Sequence, residues 1–347
     1  MGLVSDAALK ITFKGGIAMK PKEFKDKLRG VVNLVMTPFK ENGELDEEAL
    51  KISTRKLVER CKGEEIVVLA LGTTGEFYAM SEAENCRVAE IVVDEVNGVF
   101  PVMIGSARAA TQNTIEASKA MQSIGADAVL VTHPYYIMPN LESIKAHYKA
   151  VADALDIGVV IYNNSATSKL WLDTASVQEL SKVENIVGLK ENTNNPMIFL
   201  NMLQKLDPND IAIFAGLGHV MYQFMCFYGC TGYVTEFSNF APELTLDLYK
   251  AGQAKDIAGI RKAVDTMNIL WDYMDALAAR HSKIPSVLPP SMVPGGMPYY
   301  QSLNKAAMDL MGIPGGKTRA PMYNLTKQEY AELAQVLTKM GLQVVGK

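Results

Sequence analysis

A lysine, Lys190, stands directly behind an apolar run in the stretch "NIVGLKENTNN", Asn185 to Asn195. The run Ile186-Val187-Gly188-Leu189 reads as the end of a buried strand, where an ammonium without a partner is costly. Apolar walls strip hydration from the charged form of such a lysine, which favours the neutral amine, a nucleophile for a carbonyl carbon. The product is a Schiff base, an electron sink beside which a carbon–carbon bond can break or form. Tyr162 closes the earlier run "GVVIY", and its phenol can carry the protons that carbinolamine formation and dehydration require. "LGTTGEF" supplies the hydroxyls of Thr73 and Thr74 and, through Gly72, a backbone free enough to aim N–H groups at a substrate carboxylate. Tyr135 and Tyr136 follow another run in "THPYYIMPN". Spacing by itself does not separate a catalytic lysine at a strand end from a solvated or ion-paired one.

These residues need a scaffold that brings strand ends to one place. Apolar, β-rich runs recur at Val31–Met36, Ile66–Leu71, Val102–Gly105, Ala128–Thr132, Gly158–Tyr162, Ile186–Lys190, Ile211–Phe214 and Thr231–Thr235. Their spacing, roughly 20 to 35 residues, is that of a βα unit, and continuous rather than alternating runs indicate a parallel sheet covered on both faces. Helix punctuation lies between them: a capping box at Ser81 and Glu84, a cap at Asn140 and a closing glycine at Gly125. Eight strands alternating with helices predict an α/β protein, a (β/α)₈ TIM barrel, over residues 28–242, with residues 1–27 as an N-terminal extension. Catalytic groups then belong at the C-terminal strand ends. A doubly wound sheet would want a Gly-rich phosphate loop after the first strand, and "VMTPFKENG" is not one. Residues 243–347 read as the last barrel helix and a helical appendage: a long amphipathic stretch, the linker "IPSVLPPSMVPGGMPYY", then helices in "SLNKAAMDLMG" and "TKQEYAELAQVLTKMG". Met292, Met297, Met308 and Met311 are expected to fill gaps in its core.

Bulk properties exclude several functions. The 347 residues are 48% hydrophobic and 21% charged with net charge -4, giving no electrostatic footprint for nucleic acid or an anionic membrane. No apolar run reaches the ~18 residues a membrane span needs. The N-terminus lacks a signal-peptide core, and Asp6 stands where a myristoylation motif wants Ser or Thr, so a cytoplasmic protein is expected. Cys61, Cys86, Cys226 and Cys230 form no CxxC pair, and His133, His147, His219 and His281 show no ligand-like spacing, so no metal is expected.

From "VMTPF" (Met36, Thr37, Pro38, Phe39) through "GTTGEF", "HPYY", "VIYN" and "GLKENT" to "GYVTEFSNFAPEL" and "AAMDLMGIPGGKTRAPM", the chain resembles the dihydrodipicolinate synthase / N-acetylneuraminate lyase family of Schiff-base, pyruvate-dependent aldolases. The resemblance implies a lyase that forms a covalent imine between Lys190 and pyruvate or a related 2-oxo acid, with no other cofactor. It implies Tyr162 as general acid/base, with Thr73 relaying protons between Tyr162 and Tyr136, the latter reaching a neighbouring subunit's site. Thr74 would bind the carboxylate and Val234 would offer a backbone carbonyl; Gly72 and Asn163 complete the expected substrate-binding set. A homo-oligomer, dimer or tetramer, follows. Two departures bear on the substrate. The family reads Tyr-Asn-x-Pro where this chain has Tyr162-Asn163-Asn164-Ser165, and the synthase proper, 4-hydroxy-tetrahydrodipicolinate synthase, places a carboxylate-binding arginine where Thr167 stands. Lys169 would be a flexible substitute. Glu236 occupies a usually apolar or small position, where it would favour a substrate with a cation or hydroxyls or would pair with a lysine. Three readings follow: a lyase on another 2-oxo acid, the synthase itself, and a non-catalytic 2-oxo-acid binder.

Overall fold

The structure, a computed structural model, describes residues 18–281 and 299–345. Residues 1–17 and most of the Pro/Gly/Met linker, with Met292 and Met297, lie outside the described residues. Each expected apolar run is a strand: β1 Gly30–Leu34, β2 Ile66–Ala70, β3 Val102–Gly105, β4 Ala128–Thr132, β5 Gly158–Asn163, β6 Ile186–Glu191, β7 Ala212–Ala215 and β8 Gly232–Thr235. They pair in sequence order, all parallel, and β8 returns to β1 through Val32 opposite Val234, closing a (β/α)₈ barrel. The helices are α1 Pro21–Lys27, α2 Glu47–Cys61, α3 Glu82–Val96, α4 Thr111–Ile124, α5 Leu141–Asp153, α6 Ser165–Ser168, α7 Thr174–Leu180, α8 Pro196–Lys205, α9 His219–Met225, α10 Pro242–Ala254, α11 Ile257–His281, α12 Tyr300–Leu310 and α13 Lys327–Lys339. The expected caps are made: Ser81 and Glu84 form their box, Asn140 accepts from the Ser143 N–H, and Gly125 closes α4 at φ 107°.

Alternation along the strands divides the apolar residues in two. One set, including Val32, Val67, Leu69, Met103, Leu130 and Val160, fills the barrel interior; the other packs the strands against the surrounding helices. The last residues of the presumed extension belong to the first set. Phe24 on α1 is fully buried beneath the barrel with Leu28, so residues 21–27 form its floor. Close approach is possible there because Gly188 carries no side chain: a Cβ would stand 2.5 Å from the Leu28 Cδ2.

The appendage is held by charge as well as packing. Its long amphipathic stretch divides at Lys255 (φ 56°), after which Asp256 accepts from the Gly259 N–H to start α11. Lys305 on α12 makes an ion pair with Glu76, both fully buried, and donates to the Lys317 carbonyl at 2.8 Å. The Arg319 N–H donates to the same carboxylate at 3.1 Å, and its guanidinium makes a bidentate pair with Glu84. Met308 is buried and Met311 packs on the core, as gap-filling requires.

Candidate active site at the mouth of the barrel

Register places the expected chemistry at one level. Thr132 on β4 is opposite Tyr162 on β5, Tyr162 is opposite Lys190 on β6, and Lys190 is opposite Phe214 on β7, so an interior layer at the C-terminal end carries both proposed reactive groups. The Lys190 ammonium lies over the Tyr162 ring, 3.9 Å from its centroid, and the lysine is 4% exposed. Among the described residues no carboxylate is within ion-pair distance of it. The solvated or salt-bridged alternative therefore fails on geometry.

The loop after β2 is built under strain. Leu71 (φ 55°) and Glu76 (φ 57°) bracket "GTTG" in the left-handed region, which side chains enter at a cost. Pinning compensates: the Thr37 hydroxyl donates to the Gly75 carbonyl at 2.7 Å, Gly75 and Glu76 N–H groups close turns onto Gly72 and Thr73, and Gln301 donates to the Thr73 carbonyl at 3.3 Å. Gly72 has open space where its side chain would be. Thr74 is buried and faces the Tyr300 hydroxyl, which donates to Glu236 Oε2 at 2.7 Å. Glu236 thus reaches the mouth from the end of β8 with a tyrosine rather than a lysine as its partner. Burial pushes its carboxyl above the usual range, opposed by the Tyr300 hydrogen bond and more weakly by the charge of Lys190. The Val234 carbonyl faces the turn at Gly218, 3.2 Å from where a Cβ there would stand.

One expectation is corrected. Asn163, expected to bind substrate, is turned out of the barrel, because the residue after an inward Tyr162 must face the other way. Its amide donates to the Leu172 carbonyl (2.9 Å) and Glu191 (2.7 Å), while its oxygen accepts from the Leu172 N–H (2.8 Å) and from His133 Nε2 (3.0 Å). His133 also meets the Tyr148 hydroxyl at 2.8 Å. This buried network ties together the ends of β4, β5 and β6. Burial holds the His133 imidazole down to about 4 and pushes the Glu191 carboxyl up to about 7. Thr73 makes no hydrogen bond to Tyr162 within the chain; the Tyr162 hydroxyl accepts from Asn164 Nδ2 at 2.8 Å. Tyr136, expected to serve a neighbouring subunit's site, is 81% exposed.

Sequence reading passed over Tyr300, Asn164 and Glu191. Tyr300 sat at the end of a linker with no periodicity, and Asn164 registered only as a missing-proline loop. Glu191 carried a usable signal, a carboxylate inside a strand adjoining a lysine.

The profile of the dihydrodipicolinate synthetase family matches residues 27–340. The chain is 29% identical over 317 residues to a 4-hydroxy-tetrahydrodipicolinate synthase of Methanopyrus kandleri, covering 91% of this chain and 97% of that one. The dihydrodipicolinate synthase of Aquifex aeolicus superposes with a TM-score of 0.78 at 25% identity, covering 92% of this chain and all of that one. YagE, a prophage protein of that acid-synthase family from E. coli solved in complex with pyruvate, gives the same fold at TM-score 0.78, 24% identity and coverage of 91% and 99%.

Proposed function

The chain belongs to the dihydrodipicolinate synthetase family and is a lyase, and from that premise we propose that Lys190 forms an imine with pyruvate or a related 2-oxo acid. The observation that carries this reading is a nearly enclosed lysine, free of any carboxylate partner among the described residues, stacked on a tyrosine at a barrel mouth. The Lys190 lone pair bonds to the carbonyl carbon while the carbonyl oxygen takes the Tyr162 proton; the nitrogen then returns a proton to the phenolate, and the hydroxyl leaves as water with the proton Tyr162 donates again. The backbone around Gly72 and the Thr74 hydroxyl would hold the carboxylate, with the Val234 carbonyl beside the imine. No further cofactor is needed for these steps. Thr73 and Tyr136 enter only if a second copy of the chain packs on the mouth. Tyr136, Ile137 and Met138 form an exposed, largely apolar tip suited to that, so a homo-oligomer, dimer or tetramer, is part of the reading. So is a cytoplasmic setting, in keeping with four free cysteines. No helix among the described residues is long and apolar enough to cross a membrane, and none of their side chains cluster as a metal site.

For the partner substrate, the mouth offers an acceptor rather than a cation. Thr167, in the arginine's place, is exposed and spends its hydroxyl on the Asn164 carbonyl at 3.2 Å, whereas Glu236 is buried at the mouth. An aldehyde bearing hydroxyls or an amine fits this better than one bearing a second carboxylate. The alternative, synthesis from pyruvate and aspartate semialdehyde, is favoured by the name of the Methanopyrus relative.

Intact mass spectrometry after incubation with pyruvate and cyanoborohydride, on wild type and Lys190→Ala, tests the reading. An adduct of roughly +72 Da on wild type alone is expected. Its absence, with tight pyruvate binding by calorimetry, would favour a non-catalytic binder. Turnover of aspartate semialdehyde at about 1 to 100 per second would establish the synthase reaction instead.

A further inference from the structure

Tyr162 takes its hydrogen bond from within its own loop. While Asn164 Nδ2 lies 2.8 Å from the Tyr162 hydroxyl oxygen, the other end of the same amide, Oδ1, accepts from the Ala166 N–H at 3.0 Å. That contact decides which way the amide faces. A backbone N–H only donates, so the oxygen must face Ala166 and the NH₂ must face the phenol. An NH₂ also only donates, so the phenol oxygen accepts there and its own proton is directed elsewhere. The main chain behind this amide is held as well. Asn164 is buried, and its main-chain carbonyl accepts from the Ser168 hydroxyl (2.8 Å), the Thr167 hydroxyl (3.2 Å) and the Ser168 N–H (3.1 Å).

We infer that Asn164 is a positioning residue for the proton transfers of Tyr162, an inference that rests on the imine reading above. By occupying the phenol oxygen from the loop side, Asn164 leaves the O–H free for the substrate oxygen over Lys190. Once the phenol has given its proton to the carbonyl or hydroxyl oxygen, the same N–H faces a phenolate, and a donor binds an anion more strongly than it binds a neutral oxygen. The interaction is therefore stronger at the point where charge has developed. The position is the variable one of the Tyr-Asn-x-Pro pattern, and here it does within one chain what the expected Thr73 contact does not.

The test separates hydrogen bonding from folding. Asn164→Asp keeps an oxygen for the Ala166 N–H, so the start of α6 is preserved, but it offers the phenol an acceptor and draws the Tyr162 proton into the loop. Asn164→Ala removes both contacts. Wild type and both variants are incubated with pyruvate in deuterium oxide, exchange of the methyl protons is followed by NMR, and each protein is melted. For Asn164→Asp the saturating exchange rate is expected to fall about tenfold or more while the half-saturating pyruvate concentration changes less than about twofold. Its melting temperature should stay within about 2 °C of wild type. Asn164→Asp exchanging at the wild-type rate would overturn the inference, as would losses in both variants that track melting temperature. Wild type that neither exchanges pyruvate nor traps an adduct overturns the imine reading, and this one with it.

Discussion

The two ends of the barrel are made from the same eight strands and obey opposite rules. At the floor, Phe24 and Leu28 plug the interior with hydrocarbon, and glycine at 188 lets the helix seat closely. At the mouth the same interior column ends in Tyr162 and Lys190, with Glu236 and Tyr300 above. Left-handed residues flank the loop after β2, and a buried network braces the strands from behind. Dispersion and desolvation stabilise the floor without direction, so many residues would serve there. The mouth depends on donors and acceptors that must match one by one, and each mismatch leaves a buried polar group unsatisfied. Stability and chemistry are thus separated along the barrel axis.

The sharpest way to break that separation is a pair of truncations. Lys190→Ala should remove imine formation, a loss of about a thousandfold or more in turnover, with melting little changed. Phe24→Ala should cost about 3 to 5 kcal/mol in urea denaturation, yet leave pyruvate trapping within about twofold where the protein stays folded. If Phe24→Ala abolished trapping at full folding, floor and mouth would be coupled and the division wrong.

Lys305→Met probes the seam between appendage and mouth. It leaves Glu76 buried without its cation, a loss on the order of 3 to 5 kcal/mol, and it should weaken pyruvate binding by loosening the loop that carries Thr74. Denaturation and a pyruvate titration would check both; unchanged affinity in folded protein would confine the ion pair to stability.

Acid should act first through the buried imidazoles. Burial holds the imidazoles of His133, His147 and His219 down to about 4, against 6.5 when exposed. The unfolded chain takes up their protons first as pH falls, so each removes stability between about 6.5 and 4, on the order of 3 kcal/mol in full. Glu191, pushed up to about 7 from 4.5, works the other way, its contribution being present in acid and lost as pH rises through that window. Glu236, Asp127 and Asp309, also raised by burial, act as Glu191 does, and the three imidazoles should still lower the melting temperature from about pH 6.5 downward. A flat profile from pH 7 to 5 would contradict this balance.

Smallest is the loss of a helix cap whose hydroxyl touches neither Lys190 nor Tyr162. Ser81→Ala removes half of the capping box of α3 and should cost about 1 kcal/mol with imine trapping unchanged.

The amino-acid sequence alone determined whatever depends on near neighbours. Eight apolar runs became eight strands because a parallel strand buried on both faces is apolar along its whole length, and Ser81, Gly125 and Asn140 marked helix ends because capping is settled within four residues. Lys190 and Tyr162 were legible for the same reason: each closes such a run, and strand ends converge on one mouth. The outward turn of Asn163 was also implicit in alternation from Tyr162, a signal present but unused. Other features required the closed chain. Tyr300 meets Glu236 across 64 residues of sequence, and Lys305 meets Glu76 across 229. Phe24 becomes core only once there is a barrel to plug, and the donor that Tyr162 accepts is chosen by the path of a loop with no proline to direct it. Such contacts have no local pattern, since the partners are selected by closure of the barrel and not by spacing along the chain. Tertiary structure therefore decided which polar groups share the mouth, and with them the chemistry the lysine can perform.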